Sequence, residues 1–315
     1  MGRMRHGPLL AALLVTGCPL ADPAPDAGDD AALGATPDGG EHDAWTADEH
    51  DAAATDDAGR RERNSPGSDA LLTLLRAMPR NEMLYDDAVA AGATFTPTSD
   101  GDSFVLYWEP PGFDPATSGV VVSLHGHDGF VGAGLDAWEP FLRERGHALI
   151  ALQWWFGAGE TIVDYYTPAE IYPLLLEAME AHGFTSRRAL FEGFSRGGAV
   201  SYAVTAMDHT SPSPRFLLTV SAAGSAQLDY PPTAEIASGR YGPMPLAGAR
   251  WVLYCGQMDR EVMDNCARMH ETRDFLVDMG ASVDLFLEDP TGGHGGFHQN
   301  PANCNAALDL YATLL

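Results

Sequence analysis

The chain has 315 residues, an apolar fraction of 45% and a formal net charge of −26, and arginine is its only strongly basic residue. That length admits one large domain or two small ones. The acidity repels phosphate backbones, which excludes nucleic acid as a partner and disfavours a polyanionic substrate.

Arg3 and Arg5 precede a short apolar run, Leu9 to Val15. The run is too short to span a bilayer and reads as an export signal. Val15-Thr16-Gly17-Cys18 follows at once and resembles a bacterial lipobox. That resemblance implies cleavage before Cys18 and a diacylglyceryl group on its sulfur. Residues 1–18 therefore read as a lipoprotein signal, with the protein held outside the cytoplasm on a bacterial membrane by lipid alone. Residues 19–66 are rich in Ala, Asp, Gly and Pro and poor in large apolar side chains. Such a stretch buries too little apolar surface to offset its ordering entropy and is expected to be a disordered acidic tether. Residues 67–315 are left as the folded domain, expected as a monomer.

Leu71–Met78 is a short helical run that Pro79 is expected to end. From Ser103 strands and helices alternate. Ser103–Trp108 reads as a strand stopped by two prolines. Val120–Leu124 is a continuous β-branched run, as in a strand buried on both faces. A helix is expected over Leu135–Arg145, ended by Gly146, and a strand over His147–Gln153. Ile171–His182 is a helix ended by Gly183. Ala189–Gly193 is a strand and Gly197–Met207 the helix after it. Phe216–Ser221 and Trp251–Cys255 are strands, and between them Ala226 to Gly248 has no clear period and is a candidate lid or insertion. Cys266–Met279 is a helix, Val283–Leu287 a strand and Ala302–Leu315 a final helix. This alternation implies an α/β fold, a mostly parallel sheet with helices on both faces.

The strand–turn–helix at Ala189–Met207 carries Gly193-Phe194-Ser195-Arg196-Gly197 at its apex. A turn that sharp needs small residues on both sides, and it lifts the central Ser out of the sheet edge. Here the chain resembles the α/β-hydrolase superfamily, over Ser103 to Leu315. In that family the acid follows a later strand and the base comes last. Asp259, after Trp251–Cys255, and His294, after Val283–Leu287, occupy those places. The resemblance implies Ser195 as nucleophile, His294 as base and Asp259 as the acid that orients it. It also implies an oxyanion hole made by the backbone N–H of Arg196 and of His127, the latter in the loop His125-Gly126-His127-Asp128-Gly129. The expected reaction is hydrolysis of a carboxylic ester through an acyl-Ser195 intermediate, on a small, carbohydrate or polyester substrate, with no cofactor. A prolyl-oligopeptidase-like peptidase and a non-catalytic surface-binding lipoprotein that keeps the fold are the alternatives.

Several residues compete for these roles. His298 is an alternative base, and Glu261 and Asp264 are alternative acids. His125, His127 and Asp128 form an H-x-H-D cluster, but no further ligand follows at metal-site spacing, so no metal is expected. Trp154 and Trp155 end a strand on the same sheet edge as Ser195 and are candidates for a substrate pocket, with plain packing equally open. Cys255 lies in an apolar run and is expected to pack as a small hydrophobe. Cys266 and Cys304 both lie in polar segments near helix starts and form a candidate disulfide pair, with the connectivity left open.

Overall fold

The computed structural model describes residues 62–315. The expected export signal, Cys18 and nearly all of the acidic tether lie outside the described residues. The chain is already fastened to the body at Arg63, whose guanidinium pairs with Asp100, Asp102 and Glu170 and lies over the ring of Tyr166. Asn64 bonds Val163 and Asp164. These contacts begin a few residues before the expected domain start at 67.

In chain order the elements are α1 (Ser68–Arg76), α2 (Pro79–Ala90), β1 (Thr94–Pro97), β2 (Phe104–Trp108), β3 (Val120–Leu124), α3 (Val131–Arg145), β4 (Ala148–Leu152), α4 (Pro168–Ala181), β5 (Ala189–Phe194), α5 (Arg196–Thr210), β6 (Phe216–Ala222), α6 (Pro231–Ala237), β7 (Arg250–Gly256), α7 (Cys266–Asp278), β8 (Ser282–Asp289), α8 (Gly296–Gln299) and α9 (Pro301–Ala312). A single 3-10 turn, Ile162–Asp164, lies between β4 and α4. Pro79 does end α1, but it then starts α2, where its missing N–H costs nothing at the first helical position. The segment 226–248 contains α6, which packs on α5.

The eight strands among the described residues form one sheet in the order β1-β2-β4-β3-β5-β6-β7-β8. β1 and β2 run antiparallel to their neighbours, and from β4 through β8 every pairing is parallel. β3 and β4 are buried at every position, as their largely apolar sequences require, with Ser123 the one polar side chain between them. Helices α2, α3, α8 and α9 cover one face, and α4, α5, α6 and α7 cover the other. β7 shows the consequence of a period of two. Val252 and Tyr254 join the larger core, while Trp251, Leu253 and Cys255 join the smaller one with Tyr202, Ile236, Met269 and Leu276.

That alternation overturns the expected Cys266–Cys304 pairing. The disulfide joins Cys255 to Cys266, with Cα atoms 5.1 Å apart, and Cys304 is a free, buried thiol. Cys255 points from β7 toward α7, whose first residue is Cys266. Cys304 sits on α9 in the core of the opposite face, with its thiol donating to the Phe297 carbonyl. The bridge closes the loop that carries Asp259. Loop-closure entropy for a loop of this length corresponds to about 2–3 kcal/mol. A Cys255→Ala/Cys266→Ala double variant is therefore expected to be about 2–3 kcal/mol less stable to unfolding, read as a lower midpoint in a urea titration followed by far-UV circular dichroism.

Candidate active site

Ser195 sits between the end of β5 and the first residue of α5 with φ 53° and ψ −122°. A non-glycine residue at positive φ is strained by about 1–3 kcal/mol and persists only where its surroundings dictate it. They do so here. The Ser195 N–H donates to the Ala222 carbonyl at the end of β6 (2.9 Å), and the Ser195 carbonyl accepts from Ala199 in α5 (3.0 Å). The strand and helix approach so closely that a Cβ on Gly193 would lie 2.2 Å from the Gly197 carbonyl oxygen. The small residues of the motif are therefore a steric requirement of the turn.

The His294 ring stands beside this turn. Its Nε2 is 2.8 Å from Ser195 Oγ and its Nδ1 is 2.9 Å from Asp259 Oδ2. The Asp259 side chain is fully buried, and its other oxygen accepts the backbone N–H of Glu261 (2.9 Å). Burial alone lowers the imidazole pKa. The hydrogen bond and charge of Asp259, helped by the charges of Asp264 and Glu261, act the other way, and the net pKa lies above the ordinary histidine value. Three residues separated by 64 and 35 positions thus form one hydrogen-bonded chain at the sheet edge.

The competing residues point elsewhere. His298 is buried under Trp138 and Phe194, with Nε2 3.4 Å from Glu192 Oε1, and does not reach Ser195. Glu192 also accepts from Ser123 Oγ (2.7 Å). Glu261 donates its backbone N–H to Asp259 Oδ1 and acts on His294 through its charge. Asp264 accepts the Ser225 N–H (2.9 Å), and burial pushes its carboxyl up to about 6.

Asp289, at the end of β8, builds the loop that presents His294. One of its oxygens accepts from the Thr291 backbone and hydroxyl and from the Gly292 N–H, and the other from Asn300 and Asn303. These donors, the Asn300 amide foremost, hold its pKa down to about 2. The signal for this role was present as Asp289-Pro290-Thr291-Gly292, a side-chain-stabilised turn sequence.

The loop after β3 lies against the turn, since a Cβ on Gly126 would come within 3.1 Å of Ser195 Cβ. His125 braces that loop from inside. Burial drives its pKa down to about 4, so the ring is neutral. Nδ1 donates to the Gly126 carbonyl (2.8 Å), which fixes the tautomer in which Nε2 accepts the Trp154 N–H (3.3 Å). The Trp154 indole in turn donates to the His125 carbonyl (2.9 Å). Trp154 is wholly buried and Trp155 is 6% exposed, with its indole N–H on the Gly159 carbonyl (3.1 Å). Both candidate pocket residues are therefore packing residues. A buried indole needs an acceptor, and these two find theirs in the loop backbones they support. Gln153 does the same with the carbonyls of Gly129 and Trp155.

The chain matches no family model and no curated protein. Among solved structures it is similar to a fungal esterase from Rhizomucor miehei, with TM-score 0.54, 14% identity, and 77% of this chain and 89% of that one covered. It is similar to the esterase LipW from Mycobacterium marinum, with TM-score 0.50, 16% identity, and coverage of 80% and 90%. It is also similar to an acylaminoacyl peptidase from Pyrococcus horikoshii, with TM-score 0.50 and 14% identity, covering 71% of this chain but only 41% of the peptidase's length. At these identities the likeness is one of fold, and the fold is that of the α/β-hydrolases.

Proposed function

We propose that this protein is a serine hydrolase that cleaves a carboxylic ester through an acyl-Ser195 intermediate. The observation that carries the reading is the single imidazole of His294 bridging Ser195 Oγ and a fully buried Asp259 carboxylate. Neutral His294 takes the hydroxyl proton as Oγ attacks the ester carbonyl. The oxyanion that forms is met by the N–H groups of Arg196 and His127. The tetrahedral species collapses, the imidazolium returns its proton to the departing alcohol, and the acyl group stays on Ser195. Water, deprotonated by the same imidazole, then releases the acid. Asp259 keeps Nδ1 protonated and stabilises the imidazolium at each step.

Lipid attachment at Cys18 is part of the same reading and rests on the lipobox-like residues 15–18. It holds the enzyme outside the cytoplasm, where a neutral small-molecule, carbohydrate or polyester ester suits an acidic surface. The similarity to a peptidase supports a second reading, cleavage of a peptide bond by the same residues. Turnover of p-nitrophenyl acetate beside p-nitroanilides of N-acyl dipeptides separates them. The ester reading predicts that the ester is hydrolysed far faster, and preferential amide turnover overturns it.

A further inference from the structure

Glu160 lies on the connection between β4 and the 3-10 turn, remote in sequence from both β3 and β5. That connection is anchored on either side of it. The Gly159 carbonyl accepts the Trp155 indole, and the Thr161 N–H and hydroxyl both donate to Asp164 Oδ2 (2.8 and 2.7 Å). From this fixed point Glu160 Oε2 reaches two side chains. It bonds His127 Nε2, and it is 3.4 Å from Arg196 Nη2. The same Arg196 guanidinium lies over the ring of buried Tyr165, 4.8 Å from its centroid. His127 Nδ1 is also 3.0 Å from Asp128 Oδ1, so the His127 ring is held at both nitrogens.

His127 and Arg196 are the two residues whose backbone N–H groups receive the oxyanion in the reading above. They belong to separate segments, the loop after β3 and the first turn of α5. We propose that Glu160 is a positioning residue for the oxyanion hole, tying the side chains of these two residues to one carboxylate oxygen and so fixing the spacing of their N–H groups. This inference rests on the serine-hydrolase reading. The Glu160 side chain is 56% exposed, and ion pairs at that exposure add little to stability. Its effect is therefore expected in catalysis and not in folding. Misplacing reacting groups by about 1 Å costs up to about 100-fold in rate.

The test compares Glu160→Ala and Glu160→Gln with the parent in ester turnover, in thermal unfolding and in affinity for phenylboronic acid. That probe adds to the serine hydroxyl and mimics the tetrahedral species. Glu160→Ala is expected to lower kcat about 10- to 100-fold, with KM within about 2-fold and an unchanged Tm. Phenylboronic acid affinity should fall in step with kcat/KM. Glu160→Gln, which keeps a hydrogen-bonding oxygen for His127 but loses the charge facing Arg196, should recover part of the loss. An unchanged kcat in Glu160→Ala overturns the proposal. So does a loss of kcat with boronate affinity intact, or one that accompanies a lowered Tm in both variants. Ser195→Ala in the same assay keeps the two readings apart. If Ser195→Ala still turns over the ester, the hydrolase reading fails; if it is dead and Glu160→Ala is normal, only the role of Glu160 fails.

Discussion

Replacing Ser195 with alanine is expected to reduce ester turnover by about ten-thousand- to a million-fold, leaving only what binding and the oxyanion hole supply. The fold should survive, because the bonds that set the turn belong to the Ser195 backbone, its N–H on Ala222 and its carbonyl on Ala199. What alanine removes is Oγ alone, with its 2.8 Å bond to His294. Thermal unfolding of the variant should therefore overlay that of the parent to within a few degrees, about the shift a 1 kcal/mol change brings in a domain of this size. A Ser195→Ala protein that turns over the ester at a rate comparable to the parent's would place the nucleophile elsewhere.

Asp259→Asn is the second large effect. The change is nearly isosteric, but an amide can turn its NH2 toward His294 Nδ1 and so favour the tautomer with Nε2 protonated, which cannot accept from Ser195. A fall in kcat of about ten-thousand-fold is expected. The pH profile should change as well. In the parent, burial lowers the His294 pKa, but the Asp259 hydrogen bond and charge, together with the charges of Asp264 and Glu261, leave a net value above the ordinary one. The base must be neutral to act, so kcat/KM is lost as pH falls through that raised pKa. With Asp259 neutralised, burial is less opposed, and the acid limb moves to lower pH even as the plateau drops. The linkage to stability has the opposite sense. A histidine whose folded pKa is raised contributes stability that is fully present below its unfolded pKa and is lost as pH rises through the folded one. A pH–rate profile of each protein measures the displacement of the limb. An acid limb that stays in place in Asp259→Asn contradicts the role given to Asp259.

The elements that frame the site were legible because their sequences had no other use. Val120–Leu124 and Ala189–Gly193 are short, mostly apolar runs bounded by turn residues, as a doubly covered strand requires, and they end in the loops that carry His127 and Ser195. The places of Asp259 and His294 followed from the resemblance in family order, each after a later strand, β7 and β8, and the structure brings the three side chains within hydrogen-bonding distance. The disulfide was misread because Cys255 was weighed by its apolar neighbours. Which face of β7 it took, and that α7 begins on that face, are tertiary facts. Trp154 and Trp155 were ambiguous for a related reason. A strand-end aromatic can turn outward to a ligand or inward to a loop, and the acceptors that decide it, the carbonyls of His125 and Gly159, lie in other segments. β1 gave no signal, being a four-residue edge strand with its side chains largely exposed. Glu160 gave none either, since a carboxylate in Gly157-Ala158-Gly159-Glu160-Thr161 resembles any solvated turn until His127 and Arg196 are seen beside it.

The central claim, that Ser195 is a nucleophile activated by His294, is tested most directly by covalent labelling with a fluorophosphonate followed by intact-mass and peptide mapping. One adduct per chain, located on Ser195 and absent from Ser195→Ala, is the predicted result. A parent protein that takes no label, or a Ser195→Ala protein that takes as much as the parent, contradicts it.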